Sequence, residues 1–573
     1  MQKEILRIVP VLSHLMIACL ATLGACLSAL AGESKVDLDV VHRIKAEAFE
    51  STQVMNYLFQ LTDVNGPRLT GSPGFRAAAE WAVNHLRNCG LKNPRLESWS
   101  DFGRGWEYSS FEIHMTKPVF APLHGAPLAW CEGTRGPAHG EVVAAPFLHE
   151  EDEARSLDIE EVADRIKEYR ERWQGKLRGK IVLLGHAREF DPATEGPVHR
   201  LDSKDLTAMV EAPEPGPAPK IEWPITKLPK NAKKRSLLFQ HLPMEIRLDY
   251  SRRLRAAFDG LIAFLREEGV VATLQVDKRG AGGIVFAEAA GRAAPEAPVP
   301  PASVKLEPEQ YNRLYRLVER GQAVEVELDL TANLIESPLV VNVVAEIPGD
   351  KKPDEVVMLG AHLDSWHSGT GATDNAAGCA VVLEAVRILK ALGLKMDRTV
   401  RLALWSGEEQ GLLGSRAYVR DHFADPVTMA LKPEHGKLCA YFNLDNGGGK
   451  IRGIHLQGND MVRPIFESWL APFKDLGVTT ITIRDTGGTD HLSFDAVGLP
   501  GFQFIQDPLD YGTRTHHSEL DVYDHVQAGD LMEASAVMAA FVYQAATQQE
   551  MLPRKPLPKP LPPKTSGPAK SGN

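Results

Sequence analysis

Three side chains in one short stretch of this sequence have the chemistry of metal ligands. The stretch 360–378 reads GAHLDSWHSGTGATDNAAG and places His362, Asp364 and Asp374 between an apolar run and a helix-forming segment. Imidazole nitrogen and carboxylate oxygen are the ligands that a divalent metal such as zinc takes in proteins. The sequence therefore predicts a metal site here, completed by residues from other parts of the chain.

Further acids and imidazoles follow other predicted strands of the same region. From Ser337 onward, apolar strand-like runs alternate with helical segments, which predicts an α/β fold with a mostly parallel, mixed sheet flanked by helices. Such sheets place their sites beyond the carboxyl ends of the strands. The candidates that follow predicted strands are His362 with Asp364 and Asp374, Glu408 with Glu409, Asp445, and His516 with His517. A single acid pair at a helix start is usually favoured by the helix dipole alone, but four such loops at one sheet edge favour a shared site.

The motifs around these residues resemble those of a known peptidase family. The strings GAHLDS, GATDNAAG, WSGEEQGLLGS, FNLDN and HHSELD occur in this order. They look like the dizinc exopeptidase family that contains bacterial leucyl aminopeptidase and plasma glutamate carboxypeptidase (carboxypeptidase Q). The resemblance runs from Ser337 to about Gln548, with the helices before Gly90 as its first part, and implies the zinc exopeptidase fold.

The resemblance also implies a role for each residue and two zinc ions per chain. The implied metal ligands are His362, Asp374, Glu409, Asp445 and His517. Asp374 would bridge the two ions, because two neighbouring cations need a shared anionic ligand. Glu408 would be the general base that takes the proton of the attacking water. Asp364, which we group with the catalytic residues, would accept a hydrogen bond from the imidazole of His362.

The adjacent histidines leave a choice of register. We favour His517 over His516 because the family pattern continues with a hydroxyl residue and then an acid, here Ser518 and Asp521.

Three other residues are candidates for contact with a substrate. His491 lies in a loop that resembles the family's substrate-side loop, and it would stabilise an oxyanion or bind a terminal carboxylate. A purely structural turn is the alternative interpretation. Tyr511 and Arg514 come just before the two histidines and would line the specificity pocket.

A chain of 573 residues is too long for one ordinary core, and a second unit is predicted inside the peptidase region. Residues 35–100 would form the N-terminal part of the peptidase domain and residues 336–550 its catalytic part. Between them, residues 101–335 carry short β-like runs, and a strand and helix similar to a protease-associated domain. A further strand is predicted at 283–287. The poorly patterned segment 188–234, rich in proline and lysine, is typical of a functional or disordered loop.

The N-terminus has the pattern of an export signal, which we assign to residues 1–31. Lys3 and Arg7 precede an apolar run that ends near Ala31. A transmembrane anchor is the alternative, because the run is nearly long enough to span a bilayer. Two processing routes fit: cleavage after the Ala-Leu-Ala triplet at 29–31, or a lipobox-like sequence that would leave a lipid anchor at Cys26. The predicted location is therefore periplasmic, secreted or membrane-anchored as a lipoprotein.

Composition and charge limit the other partners. The net charge of −11 is spread along the chain without a basic face, which argues against nucleic acid. Residues 551–573 are rich in proline and lysine and poor in apolar side chains, which predicts a disordered tail.

These features predict an exported metal-dependent exopeptidase that acts on small peptides or dipeptides. Two alternatives stay open: a catalytically silent binding module with the peptidase fold, and a single-zinc enzyme like glutaminyl cyclase. The presence of every candidate ligand argues against the first, and the pairing of His362 with Asp445 argues against the second. Attack at the amino or the carboxyl terminus is not decided, although the wider resemblance leans towards carboxypeptidase Q. The resemblance is also compatible with a homodimer.

Overall fold

Two eight-stranded sheets organise the part of the chain that the structure describes. This computed structural model describes residues 36–564, except for 101, 150–156, 191–195, 213–220, 222 and 226. The predicted export signal and lipobox lie outside the described residues. Within the described ranges, no helix is long and apolar enough to cross a membrane.

The helices and strands alternate through most of the chain. The strands are β1 (Lys92–Ser98), β2 (Gly105–Lys117), β3 (Ala121–Pro122), β4 (Gly125–Pro127), β5 (Ala138–Ala144), β6 (Lys180–Leu183), β7 (Ala272–Val276), β8 (Ala302–Leu306), β9 (Glu325–Ile335), β10 (Val341–Ile347), β11 (Lys352–His362), β12 (Arg398–Trp405), β13 (Leu438–Asn443), β14 (Ile451–His455), β15 (Thr480–Thr482) and β16 (Gly501–Gln506). The α-helices are α1 (Leu38–Glu50), α2 (Val54–Phe59), α3 (Pro73–Asn88), α4 (Ile159–Trp173), α5 (Ser203–Val210), α6 (Ala232–His241), α7 (Met244–Ala257), α8 (Asp259–Glu268), α9 (Pro308–Glu319), α10 (Ala377–Ala391), α11 (Leu413–His422), α12 (Arg463–Leu470), α13 (His491–Asp495) and α14 (Ala528–Thr547).

The first sheet has the strand order β1-β10-β12-β11-β13-β16-β14-β15. Its four central strands, β12, β11, β13 and β16, run parallel, whereas antiparallel pairs join β1 to β10, β10 to β12, and β16 to β14. Every residue of β13 and residues 356–362 of β11 are buried, as expected for strands covered on both faces. The predicted α/β fold with a mixed sheet is confirmed.

Helices cover both faces of this sheet. On one face, α10 and α14 pack against each other and against α1 and α2 in the largest apolar cluster. On the other face, aromatic side chains from α11 and α13 pack on the strands, where Trp405 and Tyr441 contact Phe494. Burial of this apolar surface is the main stabilising contribution and fixes the strands whose ends carry the candidate ligands.

The second sheet has the order β3-β2-β9-β5-β6-β7-β8-β4, with β5 to β8 parallel. Its core includes Trp106, Leu274 and Tyr311, and it also takes in Leu69 and Trp366 from outside this second unit. Trp366 belongs to the 360–378 stretch, so the second sheet packs directly against the loop that holds the first candidate ligands.

One predicted strand in this second unit is absent. Residues 283–287 do not pair within the sheet; Phe286 forms a single antiparallel bridge with Ser518 instead. Gly282 and Gly283 have positive φ angles of 64° and 83°, which interrupt an extended chain before the apolar residues begin. The apolar residues 285–287 of this segment are buried, as the pattern predicts. Their partner, however, is the loop that contains Ser518 and not a strand of the second sheet.

The segment 188–234 was expected to be a long loop, yet its described part contains α5 and the start of α6. The α5 region docks on the first sheet through polar contacts: Arg452 donates to the carbonyl oxygen of Leu201 at 2.8 Å, and Arg484 to that of Glu211 at 2.7 Å. A helix that docks through polar contacts leaves no apolar periodicity in the sequence. The hydrophobic pattern therefore does not predict α5.

The sequence pattern predicts a helix from Glu409 to His422, and the helix α11 begins four residues after Glu409, at Leu413. Gly407, Gly411 and Leu412 have positive φ angles of 66°, 120° and 59°, so the chain turns before the helix starts. Glu408 and Glu409 therefore lie on a loop beyond the end of β12.

The tail predicted to be disordered is ordered between residues 551 and 564, which have no regular secondary structure but pack on the folded units. Leu552 is buried, and Arg554 donates to the carbonyl oxygens of His435 at 3.0 Å and Leu438 at 2.5 Å. Lys564 pairs with Asp249 of α7 at 2.9 Å. The prediction is wrong here because side-chain donors and exposed carbonyls replace the apolar contacts that the tail lacks.

Arg554→Ala should lower the free energy of unfolding by about 1–2 kcal/mol, since it leaves carbonyl oxygens in a partly buried position without their donor. Urea denaturation of the purified protein measures this. Lys559→Ala is the matched control: Lys559 is exposed in the same tail and should change stability by less than about 0.5 kcal/mol. Equal effects of the two substitutions would show that the tail does not depend on Arg554.

Candidate metal centre

The structure brings the five predicted ligands together at the carboxyl edge of the parallel strands in the first sheet. They come from four connections: His362 ends β11 and Asp374 lies between β11 and α10, Glu409 follows β12, Asp445 follows β13, and His517 follows β16. This is the edge at which sites form in α/β sheets.

The first group of ligand atoms is centred on His362. Its Nε2 lies 3.2 Å from Oδ1 of Asp374 and 3.5 Å from Oδ2 of Asp445. Its Nδ1 lies 2.9 Å from the backbone carbonyl oxygen of Asp364, which can only accept, so the ring proton is on Nδ1. Nε2 is then free to bind a metal ion.

The second group is centred on His517 and shares one residue with the first. The Nε2 of His517 lies 3.0 Å from Oε2 of Glu409 and 3.3 Å from Oδ2 of Asp374. The two oxygens of Asp374 thus face two different imidazoles. This is the geometry expected of a carboxylate that bridges two cations.

The spacing and the donor set of both groups fit zinc. Ligands bound tetrahedrally at 2.0–2.1 Å lie about 3.3 Å from one another, and the distances in both groups run from 3.0 to 3.5 Å. Several of these atoms are buried and have no hydrogen-bond partner among the described residues: His362 Nε2, Asp374 Oδ2, Glu409 Oε1 and Asp445 Oδ1. Buried polar atoms are normally paired, so this donor set fits a bound metal ion better than it fits a hydrogen-bond network.

The buried acids at the centre repel one another. Burial raises the pKa of Glu408 well above its ordinary value. Burial and the charge of Asp374 raise the pKa of Glu409 to about 8. Asp490, the neighbour of His491 in the predicted substrate-side loop, is fully buried and its pKa is raised to about 7, mainly by burial. The same field that favours protons on these groups also favours a divalent cation between them.

Asp364 has a different contact from the one predicted. Its carboxylate is 3.7 Å from the imidazole of His362 and instead accepts hydrogen bonds from the backbone amides of Glu408 and Glu409, both at 3.3 Å, and from the hydroxyl of Thr70 at 2.9 Å. The backbone carbonyl of Asp364 holds the imidazole instead. Asp364 therefore fixes the loop that presents the two glutamates.

Asp521 positions Asp374, although the sequence suggested it only as part of a motif. Its carboxylate accepts hydrogen bonds from the amide of Thr373 at 2.6 Å, the hydroxyl of Thr373 at 2.7 Å and the amide of Asp374 at 3.1 Å. These bonds fix the backbone of the bridging residue, because they hold two successive amides.

Arg68 ties the 360–378 stretch to the N-terminal helices. Its guanidinium is fully buried and donates to the carbonyl oxygens of Leu61, Leu363, Thr370 and Gly371, at 2.7–2.8 Å. The planar guanidinium thus donates hydrogen bonds at both ends of the ligand loop. The ammonium group of a lysine does not match this geometry. Arg68 lies in the segment 66–72, which reads GPRLTGS. Its proline and glycines predict a turn, but the sequence does not indicate the role of the arginine.

The substrate candidates lie in different surroundings. Tyr511 packs against His516 with ring centres 4.8 Å apart, and its pKa is raised by burial and by the nearby Asp374 and Asp445. His491 is fully buried, and its Nε2 is 3.2 Å from the carbonyl oxygen of Thr486. Burial lowers the pKa of His491 to about 3, and its described contacts include none of the five predicted ligands.

The neighbouring His516 and Arg514 are at the rim. His516 lies 3.8 Å from Oδ2 of Asp374, farther than the 3.3 Å of His517, which also reaches Glu409. The geometry thus favours His517 as the ligand. Arg514 is partly buried, and its carbonyl oxygen accepts a hydrogen bond from the hydroxyl of Ser518.

Comparison with known proteins gives matches over the part of the chain that carries the candidate ligands. Residues 342–542 match the model of Peptidase family M28. Carboxypeptidase Q from Rattus norvegicus is 32% identical over 256 residues, which are 45% of this chain and 52% of that protein. The chain thus spans about half the length of the curated relatives it matches. The resemblance deduced from the motifs is confirmed.

Solved structures share the fold over most of the chain. The crystal structure of a peptidase M28 precursor from Shewanella amazonensis aligns with 91% of this chain and 98% of its own, with a TM-score of 0.61 and 23% identity. A zinc aminopeptidase from Bacillus subtilis aligns with 87% of this chain and 96% of its own, with a TM-score of 0.52 and 17% identity. The likeness of the second unit to a protease-associated domain stays a prediction.

Arg68→Lys should lower the free energy of unfolding by about 2–4 kcal/mol, because lysine replaces the planar fork with one ammonium and leaves buried carbonyls unpaired. Urea denaturation measures the change. Arg76→Lys serves as control, since Arg76 is exposed on α3 and should alter stability by less than about 0.5 kcal/mol. A wild-type unfolding curve for Arg68→Lys would contradict the assigned role.

Proposed function

We propose that this chain, whose residues 342–542 match the model of Peptidase family M28, is an exported exopeptidase that hydrolyses small peptides with two zinc ions. The observation that supports this best is Asp374, whose two carboxylate oxygens face the separate groups centred on His362 and His517. A single-zinc enzyme needs only one such group. A binding module needs neither of them to be intact.

Zinc ions held by His362, Asp374, Glu409, Asp445 and His517 would supply Lewis acidity for the scissile carbonyl and would lower the pKa of the attacking water. Residues of the chain itself would carry out the proton transfers and hold the reacting groups in position. Glu408 would take the proton of the attacking water and give it to the departing amine nitrogen. Asp364 fixes Glu408 through its backbone amide, and Asp521 fixes Asp374 in the same way.

The peptides cleaved would be short, and dipeptides are the substrate class we propose. Carboxypeptidase Q, at 32% identity, is the relative that favours release from the carboxyl side. The zinc aminopeptidase from Bacillus subtilis shares the fold at 17% identity, which supports the zinc peptidase architecture without favouring a terminus. Tyr511 and Arg514 would contact the substrate beside the two histidines. Export would follow from residues 1–31, with Cys26 as the anchor if the lipobox route is used.

Purified protein should release free amino acids from unblocked dipeptides and contain two zinc ions per chain. Removal of zinc with a chelator should abolish release, and added zinc should restore it. Dipeptides blocked at either end, analysed by mass spectrometry, show which terminus the enzyme requires. Undiminished hydrolysis by metal-free protein would contradict the proposed mechanism. Cyclisation of an N-terminal glutamine with one zinc per chain would favour a glutaminyl cyclase, and metal binding without turnover a silent binding module.

Glu408→Gln should lower kcat by at least about 100-fold while zinc content stays near two per chain, because the amide cannot accept the proton of water. Zinc is counted by atomic absorption on the same samples used for kinetics. Glu409→Gln is the paired variant and should lose zinc, because Glu409 lies 3.0 Å from the Nε2 of His517. Loss of zinc from Glu408→Gln with retention in Glu409→Gln would mean that the two roles are exchanged.

A further inference from the structure

One carboxylate at the metal centre comes from the second unit. Glu288 lies between β7 and β8 of the second sheet, and its Oε1 is 2.8 Å from Nδ1 of His517. The opposite ring nitrogen of His517 faces Glu409 and Asp374. A residue far from the peptidase motifs in sequence therefore contacts one of the five candidate ligands directly.

Backbone hydrogen bonds hold the segment before Glu288 against the loop that contains His517. The amide of Ala287 donates to the carbonyl oxygen of His517 at 3.1 Å, and the amide of Glu519 donates to that of Val285 at 3.1 Å. The bridge between residues 286 and 518 lies between these two contacts. The position of Glu288 is therefore fixed by the docking of two main chains and does not depend on one flexible side chain.

His517 needs such support because of its backbone. Its φ angle is 62°, which is a left-handed backbone conformation that residues other than glycine rarely adopt. No regular element holds His517, since it lies in the loop between β16 and α14. The contact from Ala287 thus stabilises a ligand loop that local sequence preferences alone would not hold.

Arg279 keeps Glu288 in place from the other side. Its guanidinium lies 3.3 Å from Oε1 of Glu288, donates to the carbonyl oxygen of His516 at 3.3 Å, and stacks 4.4 Å over the ring of Phe286. Arg279 also pairs with Asp277 at 3.1 Å. The cation links the carboxylate to the histidine loop, so Glu288 and His517 are held as one unit.

We propose that Glu288 is a positioning residue that orients Nε2 of His517 towards the second metal ion, so that this metal site is complete only when the second unit is docked. A histidine that binds metal through Nε2 carries its proton on Nδ1, and a carboxylate there fixes the ring and makes it a better ligand. The identity of the metal ion rests on the proposed function, whereas the orienting contact does not.

The two metal sites would then depend on different parts of the chain. The ring of His362 is oriented by the backbone carbonyl oxygen of Asp364, two residues away in the peptidase region. The ring of His517 is oriented by Glu288 from the second unit. A change at Glu288 should therefore weaken one zinc site and spare the other.

Glu288→Ala in the full-length protein should weaken one of the two zinc sites by about 10–100-fold, and Glu288→Gln should do so less, because an amide oxygen still accepts from Nδ1. Equilibrium dialysis against buffered zinc, with zinc counted by atomic absorption, gives both dissociation constants without any activity assay. Glu296→Ala is the control: Glu296 is exposed in the same unit and should leave both constants unchanged.

Urea denaturation of the metal-free variants separates positioning from folding. We expect Glu288→Gln to unfold like the wild-type protein in the absence of metal, while its second zinc site is weakened. Two wild-type zinc dissociation constants in Glu288→Ala would overturn the proposal, and so would equal weakening of both sites. The outcome is independent of the proposed function, which is judged by hydrolysis of dipeptides by the wild-type protein: a protein that binds two zinc ions but cleaves nothing would refute the function and leave this test valid.

Discussion

The structure depends on keeping several carboxylates buried at one edge of a sheet. Asp374 is the centre of this arrangement, because its two oxygens lie 3.2 and 3.3 Å from the Nε2 atoms of His362 and His517. Burying unpaired charges in a low dielectric costs several kcal/mol per group unless cations or donors compensate them. Two divalent ions would offset this cost directly. The charge pattern and the proposed peptidase chemistry would therefore be two consequences of the same geometry.

The protein holds the acids in place with hydrogen bonds to the main chain. Arg68 fixes both ends of the 360–378 stretch, Asp364 fixes the loop with the two glutamates, and Asp521 fixes Asp374. Gly371 makes this possible: its φ is 67°, and a Cβ there would approach Ser365 to 2.3 Å. Each ligand side chain is thereby left free to face the metal, since the structural bonds are made by backbone groups and by neighbouring residues.

The sequence predicted the parts of the site that have local signals. His362, Asp374, Glu409 and Asp445 each follow a strongly apolar strand within a short motif, and the sheet geometry brings these strand ends together. Arg68 and Asp521 were not recognised as scaffold because their partners are carbonyls and amides, which every residue has. Helix α5 and the ordered tail after Leu552 were missed for a related reason: they dock largely through polar contacts, which leave no periodicity in the sequence.

Glu288 marks the limit of sequence reasoning, since 229 positions separate it from His517 and no motif surrounds it. The segment 283–287 did carry an apolar signal, but that signal gives no partner, and here the partner is the histidine loop. Contact between the units has a thermodynamic consequence. Because binding free energies are reciprocal, whatever the docked second unit adds to metal binding at His517, a bound metal adds to the docking of that unit. The metal at this site would thus be a link between the two sheets as well as a part of the catalytic apparatus.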